Sequence, residues 1–513
     1  MRTKLATMNA SFAIAQKVID IVLSFIYRTI FISIMGATYL GVNGLFTNIF
    51  TVMSLAELGV GTSIIYLLYE PLSKNDTKEI SSLMHFFAKM YSFIGIFIMC
   101  FGIILIPFLP YLINNNGAEI VDLVPIYILM LMGTASGYFF AYKRSLLEAD
   151  QKNYYNSINL SIFNIIGSVL KIIILFLMKN YLLVLFVGIM VSLCSNIAIS
   201  HTANKIYPYL KEKKKISVSK KNKKLIFKRM KAVFIHNISN IILTGTDNIL
   251  ISKFINIVTV GIYSNYTMIN NTIYGVFTMI FISLTSSVGN MKVVDSSEKS
   301  EKIFNKLLLG NIYLYFVSCV VLWTCVNDFI ILWIGKEYVF SNFITALMII
   351  SLYISGLRHV PVTFINASGL NYNTRYKSLI EAILNLVLSL VLVNKIGLPG
   401  VVIGTIVSLV ACSTIVEPYV LYKHWFKMSP LKYYIKYIFY VVLTVVIAIV
   451  SKSLTDFIVV NSVLNLFIKA ILSFIFANLV FVILNIKNSD FHFYFEYFMF
   501  IIKKVFSKVF GGK

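Results

Sequence analysis

Residues 91–112 read YSFIGIFIMCFGIILIPFLPYL, a stretch without a charged residue that is long enough to cross a bilayer as a helix. Similar segments recur along nearly the whole chain. Fourteen spans are predicted, near residues 10–34, 41–69, 82–112, 121–142, 155–178, 181–203, 232–255, 259–289, 306–327, 338–366, 377–394, 399–422, 433–451 and 460–486. With 58% hydrophobic and 13% charged residues and a mean hydropathy of +0.83, the composition excludes a soluble fold and indicates an all-α, polytopic membrane protein.

The net charge of +24 comes from basic residues in alternate loops, so it does not indicate a nucleic-acid-binding patch. Lys and Arg collect at both termini and in every second loop, whereas the opposite loops hold few basic residues, namely Lys179, Lys336, Lys395 and Lys452. Basic loops stay in the cytoplasm, so both termini are predicted to be cytoplasmic, which requires an even number of spans. No nucleic-acid partner is expected, and the bacterial cell membrane is the expected location.

An internal repeat divides the chain. At an offset of 221, Tyr155, Ser157, Asn164 and Ser168 match Tyr376, Ser378, Asn385 and Ser389, and Gly41 matches Gly261 at an offset of 220. Two parallel six-helix lobes are predicted at 1–204 and 232–424, joined by a basic cytoplasmic linker at 205–231. Residues 425–486 are two additional helices, and 487–513 form a basic, aromatic tail that suits an interfacial anchor on membrane lipids.

Charged residues inside the spans are the candidates for function, because placing them in lipid is costly. Arg28 and Arg358 are the preferred contacts for an anion, with Lys17 on the same helix as Arg28, since a guanidinium can hold a phosphate bidentately. Lys17 and Asp20 could instead neutralise each other. Lys171 and Lys469 are long enough to place their ammonium groups at the membrane surface.

A second set of polar residues completes the predicted cavity. Asp20, Glu57, Asp247, His359 and Glu381 are candidates for lining it or for coupling transport to an ion or a proton. Asn265, Asn270 and Asn271 suit sugar hydroxyls, because amides both donate and accept hydrogen bonds. For the uncharged residues and for His359, ordinary contacts between helices are the alternative interpretation.

The five cysteines show no CxxC or His-rich spacing, so no metal, cofactor or disulfide framework is expected. The loops predicted to face outward are short, and no nucleophile has a base and an orienting group at matching spacing. A membrane-embedded polysaccharide polymerase or acyltransferase is therefore a weaker alternative, and no catalytic residue is assigned. A cation-coupled multidrug exporter, with Asp20, Glu57 and Asp247 as cation ligands, is the stronger one.

Several motifs resemble the Wzx-type flippases of the polysaccharide transporter family, in the superfamily that also contains multidrug exporters and lipid II flippases. They are YLGVNGLFTNI from Tyr39, AELGVGTS from Ala56 leading into LYEPLS, LLEADQKNY ending at Tyr154, and TDNILIS followed by VGIYSNY. The resemblance implies two six-helix lobes around a cationic cavity. It also implies transfer of an undecaprenyl-diphosphate-linked oligosaccharide to the outer leaflet for capsule, O-antigen or exopolysaccharide, alongside a polymerase and a chain-length regulator.

Overall fold

The computed structural model describes residues 2–57, 59–114, 122–211 and 245–494, together with positions 218, 223, 224, 226, 227, 230, 241 and 496. All regular elements in these ranges are helices, which confirms the predicted all-α membrane fold. Among the described residues, eleven helices are long and apolar enough to cross a membrane. A twelfth is obtained when the bent pair Leu123–Phe139 and Tyr142–Ala149 counts as one span.

The chain forms two compact units, Met1–Ser264 and Asn265–Lys513. The first contains α1 Arg2–Met53, α2 Val60–Ser73, α3 Thr77–Leu105, α4 Leu109–Leu112, α5 Leu123–Ala149, α6 Tyr154–Met178, α7 Tyr181–Ile206 and α8 Asp247–Phe254. Short 3₁₀ turns lie at Ser54–Glu57, Ile106–Phe108 and Pro208–Lys211. Within this unit, α5 packs against α3 and α7, and α6 packs against α1 and α7.

Helix α9, Ile257–Ser283, begins in the first unit and continues into the second. The second unit also contains α10 Thr285–Val294, α11 Ser297–Ile334, α12 Asn342–Leu357, α13 His359–Ser368, α14 Arg375–Ile396, α15 Leu398–Ser408, α16 Ile415–Leu421, α17 Leu431–Thr455 and α18 Val463–Asn485. Turns of 3₁₀ helix at Lys336–Tyr338 and Leu370–Tyr372 and π-helical turns at Leu409–Thr414 and Tyr422–Phe426 connect them. The long α11 packs against α12, α17 and α18, and α14 packs against α15.

The first two predicted spans lie in one long helix that is broken at a glycine. Gly36 in α1 has φ 77° and ψ −178°, a backbone conformation in which a side chain would be strained. The second predicted span, 41–69, is broken again by the 3₁₀ turn Ser54–Glu57 and by Gly59, which has φ 84° and precedes α2. Hydropathy alone could not show these breaks, because glycine hardly lowers the mean hydropathy of a window.

Half of the predicted seventh helix, including Asn237, Asn240 and Thr244, lies outside the described residues, as do most of the predicted linker and tail. The described part of the tail packs on α11, since the Tyr494 hydroxyl donates to the Lys306 carbonyl at 3.0 Å. Burial, together with the charge of Asp490, raises the pKa of Tyr494 to about 12. The predicted lobe boundaries rest on the repeat and stay a prediction.

Helices α1 and α9 cross backbone to backbone inside the first unit. A Cβ atom added at Gly41 would lie 1.9 Å from the carbonyl oxygen of Ile257, and one added at Gly261 would lie 2.2 Å from that of Ala37. An offset of 220 residues relates Gly41 to Gly261, and the same offset relates Ala37 to Ile257. The two contacts therefore involve the same pair of repeat positions, with the helices exchanged. Equivalent positions of the sequence repeat therefore meet at this crossing.

The two C-terminal helices are held to α11 by an ion pair as well as by apolar packing. The Lys469 ammonium in α18 lies 2.8 Å from a carboxylate oxygen of Asp328 and 3.4 Å from one of Asp456. Lys469 is only 4% exposed, whereas the side chains of Asp328 and Asp456 are 29% and 54% exposed. The Tyr313 hydroxyl in α11 also donates to Asn478 in α18 at 2.6 Å.

Candidate functional site

A polar, partly open cavity of about 500 Å³ lies in the first unit, lined by residues of α1, α5, α6 and α7. This volume falls within the range of roughly 300–1,000 Å³ typical of ligand pockets. Its wall consists of Asp20, Leu23, Ser24, Tyr27, Arg144, Leu160, Phe163, Asn164, Gly167, Ser168, Lys171, Gly188, Val191, Ser192, Ser195 and Asn196. Polar groups so dense in the interior of a membrane protein indicate a hydrated or ligand-binding space.

The polar wall follows from helical spacing. In α6, Leu160, Asn164, Ser168 and Lys171 recur at intervals of three or four residues and so share one face. The polar side of α7 runs from Gly188 through Ser192 to Asn196 in the same way. Helices α6 and α7 thus both contribute polar side chains to the cavity wall.

Arg144 provides one of the two cations of the cavity. Its Nη2 donates to Asn159 Oδ1 at 3.0 Å, to Ser195 Oγ at 3.1 Å and to Asn196 Oδ1 at 3.1 Å. Its Nη1 is buried without a hydrogen-bond partner among the described residues. All these acceptors are neutral, so the guanidinium charge has no carboxylate beside it in the described part of the chain. A buried charge without a countercharge is costly.

Lys171 provides the second cation. Its ammonium lies 5.8 Å from the centre of the Tyr27 ring, within reach of a cation–π interaction. No described carboxylate forms an ion pair with it. The side chain runs over Gly188, where an added Cβ would lie 3.0 Å from Lys171 Cε and 3.3 Å from Nζ. The absence of a side chain at position 188 makes room for the lysine.

Asp20 is the acidic residue of the cavity wall. Its Oδ1 accepts a hydrogen bond from the Asn164 amide at 2.8 Å. Among the described residues no ion pair joins Asp20 to Lys17, so the structure does not show the mutual neutralisation that the sequence allowed. Lys17 is half-buried on α1. With two cations and one anion, the wall of the cavity is net positive.

Three other predicted residues of the first unit lie outside this wall. Arg28 Nη1 donates to Ser264 Oγ at 2.8 Å, so its guanidinium is positioned by α9. Glu57 accepts a hydrogen bond from the Tyr91 hydroxyl at 3.3 Å. Asp247 Oδ2 accepts one from Tyr263 at 3.3 Å, whereas its Oδ1 is buried without a partner among the described residues.

In the second unit, four charged side chains form one buried cluster. Arg358 holds Glu417 with two hydrogen bonds, from Nε at 3.2 Å and from Nη2 at 2.7 Å. Lys377 Nζ lies 2.7 Å from Glu417 and 3.2 Å from Glu381. Arg358 Nη1 is 3.7 Å from Glu381 Oε1, and Ser413 donates to Glu381 Oε2 at 2.6 Å. The cluster joins the start of α13, α14, the π-helical turn and α16.

The cluster is electrically balanced, with two cations and two carboxylates. The side chains of Glu381 and Glu417 are only 2% and 4% exposed. In the structure, two nitrogens of the Arg358 guanidinium donate to Glu417. Its predicted role as an anion contact stays a prediction, and in this arrangement it holds helices together.

The remaining predicted residues of the second unit make contacts between helices. His359 Nε2 is 2.9 Å from the Tyr315 hydroxyl, and its ring stacks on Phe281. Asn270 donates its amide to the Met348 carbonyl at 3.2 Å. Asn265 is fully buried and Asn271 is exposed. These contacts fit the interpretation as helix packing for His359 and Asn270, while the sugar and coupling roles stay predictions.

The sequence interpretation considered Lys171 only as a cation long enough to reach the membrane surface, and it did not identify Arg144 as a residue of the cavity. Arg144 stands next to Lys143 and near Lys152, so its charge was assigned to a cytoplasmic loop, whereas α5 continues for five residues beyond it to Ala149. The helical register of α5 would have distinguished Arg144 from Lys143, because neighbouring residues point about 100° apart on a helix. Within the described ranges, no three His, Cys, Asp or Glu side chains come together as metal ligands.

Comparison with known proteins agrees with this architecture. Lipid II flippase MurJ in an inward closed conformation is similar over 94% of this chain and 99% of its own, with a TM-score of 0.67 and 16% identity. A multidrug resistance MATE family transporter in an inward-facing conformation matches with a TM-score of 0.60 and 14% identity over 82% of this chain and 98% of its own. A Vibrio cholerae MATE transporter matches with a TM-score of 0.56 and 14% identity over the same shares.

At these identities the likeness shows the fold that the chain shares with flippases and multidrug exporters. No curated relative matches the chain. The sequence profile of the family described as "Polysaccharide biosynthesis protein" matches residues 6–285, which is more than half of the chain. The chain is therefore a multi-pass membrane protein that belongs to this polysaccharide biosynthesis family.

Proposed function

We propose that the protein is a flippase that moves an oligosaccharide linked to undecaprenyl diphosphate from the cytoplasmic to the outer leaflet. The observation that carries the proposal is the net positive, polar cavity inside a family member whose fold is that of lipid II flippase. A diphosphate needs cations, and a sugar needs hydrogen-bond donors and acceptors. Arg144, Lys171 and the hydroxyl and amide groups around them are of these types.

Transfer of such a head group through lipid is blocked by the cost of removing its charges and hydroxyls from water. A polar path through the protein replaces the lost hydration, while the polyprenyl chain remains in the lipid throughout. Alternating access, in which the path opens first to one leaflet and then to the other, carries the head group across the bilayer. Arg28, Lys17 and Arg358 are proposed as further anion contacts, and Asn265, Asn270 and Asn271 as sugar contacts.

The proposal includes the cellular setting. The protein works in the bacterial cytoplasmic membrane with both termini in the cytoplasm, for capsule, O-antigen or exopolysaccharide synthesis. The polymerase and the chain-length regulator of the same pathway are its proposed partners. Its lobes are the proposed 1–204 and 232–424.

The proposal is tested by complementation of a flippase-deficient strain with a panel of defined lipid-linked repeat units. We expect the wild-type protein to restore surface polysaccharide for at least one repeat unit. Arg28→Ala should abolish this restoration, and Arg28→Lys should restore it partly, because lysine keeps the charge and loses the bidentate geometry. Quantitative blotting of the membrane fraction shows that both variants are present at wild-type levels.

Failure to restore any repeat unit, with the protein present in the membrane, would contradict the flippase proposal. Full activity of Arg28→Ala would remove Arg28 from the substrate path and leave the flippase proposal standing. The two results are distinguishable because the first concerns the wild-type protein.

A cation-coupled multidrug exporter is the second candidate. It is favoured by the shared fold with MATE transporters and by Asp247, whose Oδ1 is buried without a hydrogen-bond partner in the described structure. The discriminating measurement is dye efflux from cells that express the protein. An exporter would lower cellular dye in proportion to the ion gradient, and Asp247→Asn would abolish the effect. A flippase leaves the dye level unchanged.

A further inference from the structure

We infer that the cavity of the first unit is an oxyanion site whose binding groups are Arg144 and Lys171. The ligand class is a phosphoryl or carboxylate group attached to a hydroxylated body, such as a sugar phosphate or a sugar acid. The inference rests on the proposed function only for the identity of the physiological ligand. The site itself is argued from charge and hydrogen bonding.

The guanidinium of Arg144 has no countercharge among the described residues. All hydrogen-bond acceptors that the structure places on its guanidinium are amide or hydroxyl oxygens, and its Nη1 is buried with none. The charged groups of the second unit show the contrast, because Arg358 has two carboxylates beside it. An anion in the cavity would supply the missing countercharge and an acceptor for Nη1.

Lys171 lies on the same cavity wall as Arg144, at a distance along α7. Arg144 contacts Ser195 of α7, and Lys171 runs over Gly188 of the same helix. Seven residues of helix separate these two points, which is roughly 10 Å along the axis at about 1.5 Å per residue. The two cations therefore lie at different heights in one cavity. A diphosphate, or a phosphate and a carboxylate on one sugar, has two charged groups that can be spaced to meet both.

Hydroxyl and amide side chains line the cavity beside the two cations. Ser24, Asn164, Ser168 and Ser192 line this part of the cavity, together with Asp20. Hydroxyl and amide groups donate and accept, and a carboxylate accepts from hydroxyl donors. Asp20 would repel a bare anion but would accept hydrogen bonds from sugar hydroxyls. The wall therefore fits an oxyanion that carries hydroxyl groups better than it fits an inorganic anion alone.

A matched control is present one residue away. Lys143 donates to Ser200 Oγ at 2.7 Å and to Asn204 Oδ1 at 3.0 Å, so it also has neutral acceptors only, yet it is not part of the cavity wall. Lys143 and Arg144 stand on the same helix at nearly the same height. Neutralising either residue removes one positive charge from α5. If general charge matters, both substitutions should weaken anion binding; if the cavity site matters, only the substitution of Arg144 should.

The experiment is calorimetric titration of the full-length protein in nanodiscs of neutral phosphatidylcholine, with inorganic pyrophosphate, glucuronate and uncharged lactose as probes. We expect saturable binding of pyrophosphate and glucuronate and none of lactose. The R144Q/K171Q double variant should bind both anions at least tenfold more weakly, while K143Q should bind as the wild type does. R144K, which keeps the charge, should lie between them.

A further variant separates site loss from misfolding. Gly188→Leu leaves every charge in place and puts a side chain where Lys171 now lies, so it should also abolish anion binding. Each variant is compared with the wild type by its elution profile in detergent. Nanodiscs with phosphatidylglycerol show the source of the ligand. If this lipid competes with pyrophosphate for the site, the ligand is a lipid head group. If glucuronate binds and the lipid does not compete, the ligand is a sugar acid.

Equal pyrophosphate affinity of the wild type and the R144Q/K171Q variant, or no saturable binding of either anion to the wild type, overturns the inference. This outcome is independent of complementation. A protein that complements but whose anion binding does not depend on these residues keeps the proposed function and loses this site. A protein that binds anions here but complements with no repeat unit keeps the site and loses the proposed function.

Discussion

Replacing Glu417 with Gln is expected to lower the free energy of unfolding by about 3–5 kcal/mol, the range found when one partner of a buried ion pair is removed. Glu417 accepts two hydrogen bonds from Arg358 and lies 2.7 Å from Lys377. Without its charge, two cations share the single carboxylate of Glu381, and one positive charge is left buried. The midpoint of thermal unfolding is measured in detergent, with tryptophan fluorescence as the signal.

A double variant distinguishes this cause from a general packing defect. Arg358→Met combined with Glu417→Gln leaves Lys377 beside Glu381, a balanced pair at 3.2 Å. We expect the double variant to recover most of the stability that Glu417→Gln loses, because apolar replacement of a buried ion pair is often neutral. If the two changes added to a greater loss, charge balance would not be the reason for the effect.

A surface ion pair gives the matched control for the same chemistry. Glu70 and Lys74 form an ion pair of 2.6 Å, with side chains 76% and 67% exposed. The hydrogen bond and the charge of Glu70 raise the pKa of Lys74. Since exposed pairs contribute little, Glu70→Gln should leave the unfolding midpoint unchanged. If Glu70→Gln shifted the midpoint as much as Glu417→Gln does, burial of the cluster would not be the cause of the lost stability.

The membrane class could be predicted from the sequence because the bilayer imposes a simple rule on segment length and polarity. The breaks at Gly36 and Gly59 could not, since they depend on backbone conformation and hardly change hydropathy. For Arg358 and Glu381, the sequence showed two costly charges but not that they belong to one cluster in which the charges are balanced. Their partner Lys377 lies four residues before Glu381, at a spacing that indicates an ion pair on a helix.

The cavity shows why side-chain neighbours are harder to predict than spans. Arg144, Asn159 and Asn196 come from three helices, and their contacts depend on the rotation of each helix about its axis. A single sequence gives that rotation only where one face is strongly polar, as it is in α6. For α5 the polar and apolar sides are poorly separated, so the direction of Arg144 was not visible. The repeat paired Gly41 with Gly261 as equivalent positions, whereas their contact is seen only in the structure.

That glycine pair gives the second large expected effect. Gly41→Ala should destabilise the crossing of α1 and α9, because the new Cβ would lie 1.9 Å from the Ile257 carbonyl oxygen and 2.9 Å from its carbon. Both atoms belong to the backbone, so no side-chain rotation relieves the overlap and the helices must separate. Overpacking typically costs about 1–3 kcal/mol, and the intrinsic preference of helices for alanine over glycine, about 1 kcal/mol, has the opposite sign.

Gly137→Ala is the control, because Gly137 also lies in a helix but has no atom within 4 Å of an added Cβ. We expect Gly137→Ala to keep or raise the unfolding midpoint and to retain complementation, whereas Gly41→Ala and Gly261→Ala should lower the midpoint and reduce complementation to a similar extent. The similarity follows from the reciprocal geometry, since each added Cβ meets a carbonyl group of the facing helix. Equal midpoints for Gly41→Ala and Gly137→Ala would show that the two helices do not make this close contact in the membrane.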